Sequence, residues 1–124
     1  DPEDYALIAS NAERFGTDNL TPILGKAPEV WEDLPAPDAV FVGGTGRQVS
    51  QLAVQALNRL RPGGRLVANV NSIENLAAVR SALLAQVAEV QTWMFSISRG
   101  TDQLEQLRFE SLNPTFLLGV VKPS

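Results

Sequence analysis

Cysteine and histidine are both missing from this chain of 124 residues. Their absence excludes a disulfide framework, a Cys/His zinc cluster, a thiol nucleophile and an imidazole base. Any chemistry therefore falls to carboxylates, amides, Arg, Lys, backbone groups or a bound cofactor. A basic surplus is missing too. The formal charge is −4 at pH 7, so the domain as a whole offers no cationic field to nucleic acid. No apolar run reaches the roughly 18 residues of a membrane span, and nothing has the basic start and small-residue cleavage site of a signal peptide. A cytoplasmic protein with no membrane or nucleic-acid partner is expected.

What is present suits one packed domain. Hydrophobic residues make up 44% and charged residues 19%, without the apolar poverty or charge excess of disordered chains. A chain of this length can bury roughly 65% of the surface it exposes when unfolded.

The opening residues have the form of a helix start, with Asp1 able to cap, Pro2 at the first helical position, and Glu3 and Asp4 at the positive end of the dipole. Tyr5, Ile8, Ala12 and Phe15 recur at helical spacing, and Gly16 can take the left-handed conformation that ends the run. Residues 20–24 read as a short strand and 28–34 as a brief helical turn. Residues 38–42 form an apolar strand closed by Gly43-Gly44.

From 47 to 60 the positions Val49, Leu52, Ala53, Ala56, Leu57 and Leu60 make one helical stripe, stopped by Arg61-Pro62-Gly63-Gly64. Residues 65–70 are a further strand. Ser72 can cap a helix to about residue 86, with Leu76, Val79, Leu83 and Val87 inward. Residues 90–98 and 115–121 are the last strands, separated by a polar stretch over 99–113 and expected to pair antiparallel.

Strands alternating with helices predict an α/β fold, a doubly wound and mostly parallel sheet with helices on both faces and an antiparallel strand at the C-terminus. Ligands of such sheets bind beyond the carboxyl ends of the strands. Four places there carry candidate chemistry, each with a plainer alternative. Gly43-Gly44-Thr45-Gly46 lies between strand and helix, where backbone N–H groups can receive a negative or polar group, or it is a tight turn only. Arg47 opens a helix, a poor place for a cation unless an anion such as a substrate carboxylate is near, or it is simply solvated. Asn69 and Asn71 offer donors and acceptors to a polar ligand, or Asn71 and Ser72 are a turn and a cap. Arg99, in Ser98-Arg99-Gly100, can grip a carboxylate, or the segment is a hairpin end. Trp31 and Trp93 read as core or sheet-face aromatics.

The blocks LPAPDAVFVGGTG (34–46), RPGGRLVANVN (61–71), SRG (98–100) and LNPTF (112–116) resemble the decarboxylating precorrin-6 methyltransferase family of cobalamin biosynthesis. The resemblance covers nearly the whole chain. It implies a class I S-adenosylmethionine-dependent methyltransferase domain of Rossmann-like type, acting on C15 of a precorrin tetrapyrrole, or on C5 and C15 where a second methyltransferase domain is fused upstream. It also implies that residues 1–124 are a partial domain, from the third strand onward. The family's glycine-rich loop for the methionine part of the donor and its acidic strand end for the ribose have no counterpart in the chain. Asp1 matches the position after the family's second strand.

By the same resemblance, Gly25, Lys26, Ala27, Gly43, Gly44 and Asn69 would face the donor, and Thr45, Arg47, Asn71 and Arg99 the tetrapyrrole. No catalytic residue is assigned. Lys26 stands where the family has Asp in a Gly-Asp-Ala run, and it cannot accept a hydrogen bond from the adenine amino group. The resemblance thus implies a methyltransferase as parent protein, a fragment inactive alone, and a homo-oligomer. The alternatives are a degenerate Rossmann-like domain with a structural or oligomerisation role, or another nucleotide-binding α/β enzyme.

Overall fold

The computed structural model describes residues 1–43 and 46–124. They form two compact units, Asp1–Pro35 and Ala36–Ser124.

The first unit begins with helix α1, Pro2–Arg14, in which Asp1 caps by accepting from the backbone N–H groups of Glu3 at 2.8 Å and Asp4 at 3.1 Å. Gly16, at φ +65, closes it as expected. A 3-10 turn follows at Glu29–Trp31. The strand expected at 20–24 does not form. Pro22 removes one ladder donor there, and no described strand pairs with the segment.

The second unit holds strand β1 (Ala39–Val42), helix α2 (Val49–Arg59), strand β2 (Arg65–Val70), helix α3 (Ile73–Leu84), and strands β3 (Gln91–Phe95), β4 (Ser98–Gln103), β5 (Gln106–Ser111) and β6 (Thr115–Val121). The main sheet has the order β1-β2-β6-β3, and β4 and β5 form a separate ribbon. The β1–β2 pairing is parallel, whereas β6 is antiparallel to both of its neighbours. The last two expected strands therefore do pair antiparallel. The sheet is mixed, which corrects the mostly parallel expectation.

The two helices of this unit lie together. Successive crossovers from β1 to β2 and from β2 to β3 move the same way across the sheet, and right-handed crossovers in one direction put their helices on one face. Accordingly α2 lies against β1, β2 and α3, while α3 lies against α2 and β6.

The core is the layer between that sheet face and the two helices. Leu66, Ala68 and Val70 of β2 sit opposite Val120, Leu118 and Phe116 of β6, and all six are buried. The whole expected stripe of α2 is buried against them, from Val49 to Leu60. Lys122 completes that helix by donating from Nζ to the carbonyls of Asn58 at 2.8 Å and Leu60 at 2.6 Å. On the other face, Phe41 and Trp93 are exposed.

Ser72 caps α3, its Oγ accepting from the Asn75 N–H at 3.1 Å. Replacing it with Ala should lower stability by about 1 kcal/mol, read as a shift of the urea midpoint at unchanged slope. No shift would mean that solvent satisfies the Asn75 N–H equally well.

Candidate functional site

The ends of four strands define one edge. β1 ends at Val42, β2 at Val70 and β3 at Phe95, and the antiparallel β6 begins beside them at Thr115. Asn69, Asn71, Ser72 and Asn75 come to this edge from the end of β2 and the start of α3, and Gly43 from the end of β1. Gly44 and Thr45, two of the expected site residues, lie outside the described residues. Gly46 takes φ +60, and its carbonyl accepts from Asn75 Nδ2 at 3.4 Å. That bond joins the loop after β1 to the first turn of α3. Arg47 is exposed in the 3-10 turn Gly46–Gln48 and forms no ion pair among the described residues.

At the centre of the edge are Asn69 and Asn71, joined through Thr115. Asn69 Nδ2 donates to Thr115 Oγ1 at 2.7 Å and to the Phe116 carbonyl at 3.1 Å. The Thr115 hydroxyl donates in turn to Asn71 Oδ1 at 2.7 Å. Both amide hydrogens of Asn69 are thus committed within the protein, and only its oxygen remains for a donor molecule. This narrows the role expected of Asn69. Asn71 is exposed and retains its amide NH2. Thr115 and Asn75 were not among the expected site residues. The signal for Thr115 was a hydroxyl opening an otherwise apolar strand inside the LNPTF block.

Arg99 does not close a long apolar strand, as its neighbourhood suggested. β3 ends at Phe95, and Arg99 belongs to β4, one half of the ribbon. The ribbon leaves the sheet and returns to it at this same edge, and the Leu112 N–H donates to the Ile97 carbonyl at its base at 2.9 Å. Its register pairs Arg99 with Glu110 and Thr101 with Arg108, so these side chains share one face, while Gly100, Leu107 and Phe109 share the other. Neither arginine forms an ion pair among the described residues. Both guanidinium groups are available to an anion.

Gly25, Lys26 and Ala27 belong to the first unit. A Cβ at Gly25, which has φ +154, would fall on the Val30 side chain, so this loop admits only Gly at that position. The Lys26 carbonyl accepts from the Val30 N–H at 3.2 Å, and the Lys26 side chain is exposed.

An open cavity of about 560 Å³ lies at the far end of the strands, beside Arg65, Glu89 and Gln91 over an apolar floor that includes Val67 and Val120. It is remote from the edge described above. Among the described residues, no group of three or more acidic side chains could hold a metal ion and no helix is long and apolar enough to cross a membrane.

The architecture is that of a class I S-adenosylmethionine-dependent methyltransferase of Rossmann-like type. Distant structures share it, among them a SAM-dependent O-methyltransferase from Thermotoga maritima, with a TM-score of 0.71 at 16% identity over 99% of this chain and 47% of that one. Within that class the chain belongs to the precorrin methyltransferase domain family, whose model matches residues 1–109. It is 33% identical over 119 residues to the probable cobalt-precorrin-6B C(15)-methyltransferase (decarboxylating) of Pyrobaculum calidifontis, covering 95% of this chain and 60% of that protein. It is 46% identical over 71 residues to the precorrin-6Y C(5,15)-methyltransferase [decarboxylating] of Sinorhizobium sp, covering 56% of this chain and 16% of that one. The crystal structure of precorrin-6y C5,15-methyltransferase from Geobacter metallireducens superposes with a TM-score of 0.84 at 28% identity, covering 98% of this chain and 65% of that one. The chain therefore spans about three-fifths of the length of its full-chain curated relatives.

Proposed function

We propose that the chain is part of a decarboxylating precorrin-6Y C(5,15)- or precorrin-6B C(15)-methyltransferase, which transfers a methyl group from S-adenosylmethionine to a tetrapyrrole in cobalamin biosynthesis. The observation that carries this is the similarity to the Pyrobaculum protein along 95% of the chain. In this reading residues 1–124 supply the part of the domain that follows its second strand. The enzyme works in the cytoplasm as a homo-oligomer. Among the described residues β1 pairs only with β2, and its outer edge is consistent with cover from another chain or segment.

The residues at hand do not make a whole site for the methyl donor. Lys26 offers no acceptor to adenine, and Asn69 has spent its amide hydrogens. They suit the tetrapyrrole better. Asn71 and Arg99 present donors at or near the same strand edge, as a substrate rich in carboxylates requires, with Arg47 on the loop after β1. Aligning a nucleophilic ring carbon with a methyl group and excluding water asks for placement more than for a strong base.

Arg99→Ala in the complete enzyme should weaken tetrapyrrole binding about tenfold, the loss of one charge-assisted pair, and leave donor affinity nearly unchanged. Titration of each ligand separately checks this. Unchanged tetrapyrrole binding would remove Arg99 from the site. The alternative of a degenerate domain with a structural role is favoured by Lys26. Failure of the complete enzyme to bind the methyl donor at all would establish that alternative.

A further inference from the structure

Thr115 has one hydroxyl hydrogen, and three groups surround its oxygen. Asn69 Nδ2 and Asn71 Oδ1 each lie at 2.7 Å, and the Val70 carbonyl at 3.4 Å. Asn69 donates, which occupies a lone pair, so the hydroxyl hydrogen goes to the nearer acceptor, Asn71 Oδ1. The backbone makes this wiring possible. The antiparallel register that pairs Val70 with Phe116 brings Thr115 opposite the residue after β2. Asn69, two residues earlier, points to the same side. Asn69 is anchored a second time through the Phe116 carbonyl at 3.1 Å, so the relay starts from a fixed, half-buried carboxamide and ends on an exposed one.

The consequence is directional. Asn71 is held by its oxygen, so the group it turns outward is its NH2. A carboxylate only accepts hydrogen bonds, and a carboxamide free to rotate would present oxygen as readily as nitrogen.

We propose that Thr115 is a positioning residue whose hydroxyl locks Asn71 as a hydrogen-bond donor for a carboxylate side chain of the tetrapyrrole. This rests on the reading of the edge as tetrapyrrole-facing. Asn69 sets the polarity of the relay, Thr115 transmits it, and of these three only Asn71 touches the ligand.

The test uses the complete enzyme with two measurements. Nitrogen-15 relaxation of the Asn71 side-chain amide reads the lock without any ligand, and fluorescence titration with uroporphyrin, a planar tetrapyrrole with carboxylates on every ring, reads binding. Thr115→Val, nearly the same shape without the hydroxyl, should free the Asn71 amide and weaken uroporphyrin binding about tenfold. Thr115→Ser should restore both to near the wild-type values. Asn71→Asp keeps an acceptor for Thr115 but turns an oxygen outward, and should weaken binding at least as much as Thr115→Val. An Asn71 amide equally rigid in wild type and Thr115→Val overturns the lock, and so does a Ser variant that behaves like Val, because the loss would then be one of packing. A lock that holds in a wild-type enzyme that does not bind uroporphyrin overturns instead the tetrapyrrole-facing reading of the edge.

Discussion

The 124-residue chain should bind S-adenosylmethionine no more tightly than millimolar and should show no methyltransferase activity, whereas the full-length Pyrobaculum calidifontis relative should bind it in the micromolar range. The donor has an amino-acid part, a sulfonium, a ribose and an adenine. The family resemblance assigns the first and third to a glycine-rich loop and an acidic strand end that have no counterpart among these residues. By the same resemblance Lys26 stands where the family has its adenine acceptor, and Asn69 donates both amide hydrogens to Thr115 and Phe116. Losing two or three placed hydrogen bonds at roughly 1–3 kcal/mol each turns a micromolar site into a millimolar one. The open edge also admits water, so a loosely held donor lacks the alignment that transfer needs. Isothermal titration of the two proteins side by side decides the matter. Micromolar binding to this chain would show that its residues suffice to hold the donor.

Gly64→Ala should cost about 2–4 kcal/mol, a large part of the stability of a domain this size, and lower the melting temperature by roughly 10–20 °C. Gly64 is buried where the turn after α2 is tied on both sides. The Arg61 N–H donates to the Pro37 carbonyl, the Arg65 N–H to the Asp38 carbonyl, and Gly63 and Gly64 exchange backbone bonds with Lys122. A Cβ at Gly64 would come within 2.8 Å of the Arg61 carbonyl oxygen and 2.9 Å of both the Asp38 carbonyl oxygen and Leu60 Cδ2. Two of those three atoms are backbone held in other hydrogen bonds, so they cannot yield cheaply. Gly63→Ala is the control. Its φ of +79 disfavours a side chain, but nothing lies within 4 Å of the added carbon, so the cost should be only about 1–2 kcal/mol. Thermal melts of both variants check the contrast. Equal losses would mean that backbone conformation, not crowding, governs this turn.

Part of the site was readable because it depends on strand ends. The strands at Ala39–Val42, Arg65–Val70 and Thr115–Val121 and the stripe of α2 follow from apolar runs and spacing, and they bring Gly43, Asn69 and Asn71 to one edge. The β4–β5 ribbon was not readable. Its turn residues, Leu104 and Glu105, have φ of +51 and +62, a conformation that sequences usually announce with Asn or Gly. Arg108 was therefore hidden in a stretch that looked like polar loop, and Arg99 was attached to the wrong strand.

Composition narrowed the range of chemistry, and local periodicity settled the helices and most strands, since each depends on residues near one another in the chain. The lack of His and Cys and the stripe from Val49 to Leu60 needed no partner to be interpreted. Tertiary structure decided which segments find partners. Residues 20–24 have the composition of a strand, yet no described neighbour supplies a ladder, and a strand alone leaves its backbone bonds to solvent. The same holds for the site, where Asn69 and Asn71 read alike as polar residues near a strand end. Only the antiparallel return of β6 sets Thr115 between them, 46 and 44 residues away, and makes one an anchor and the other a donor. A hydrogen bond over such a separation exists only after the sheet is assembled, and no local pattern encodes its direction.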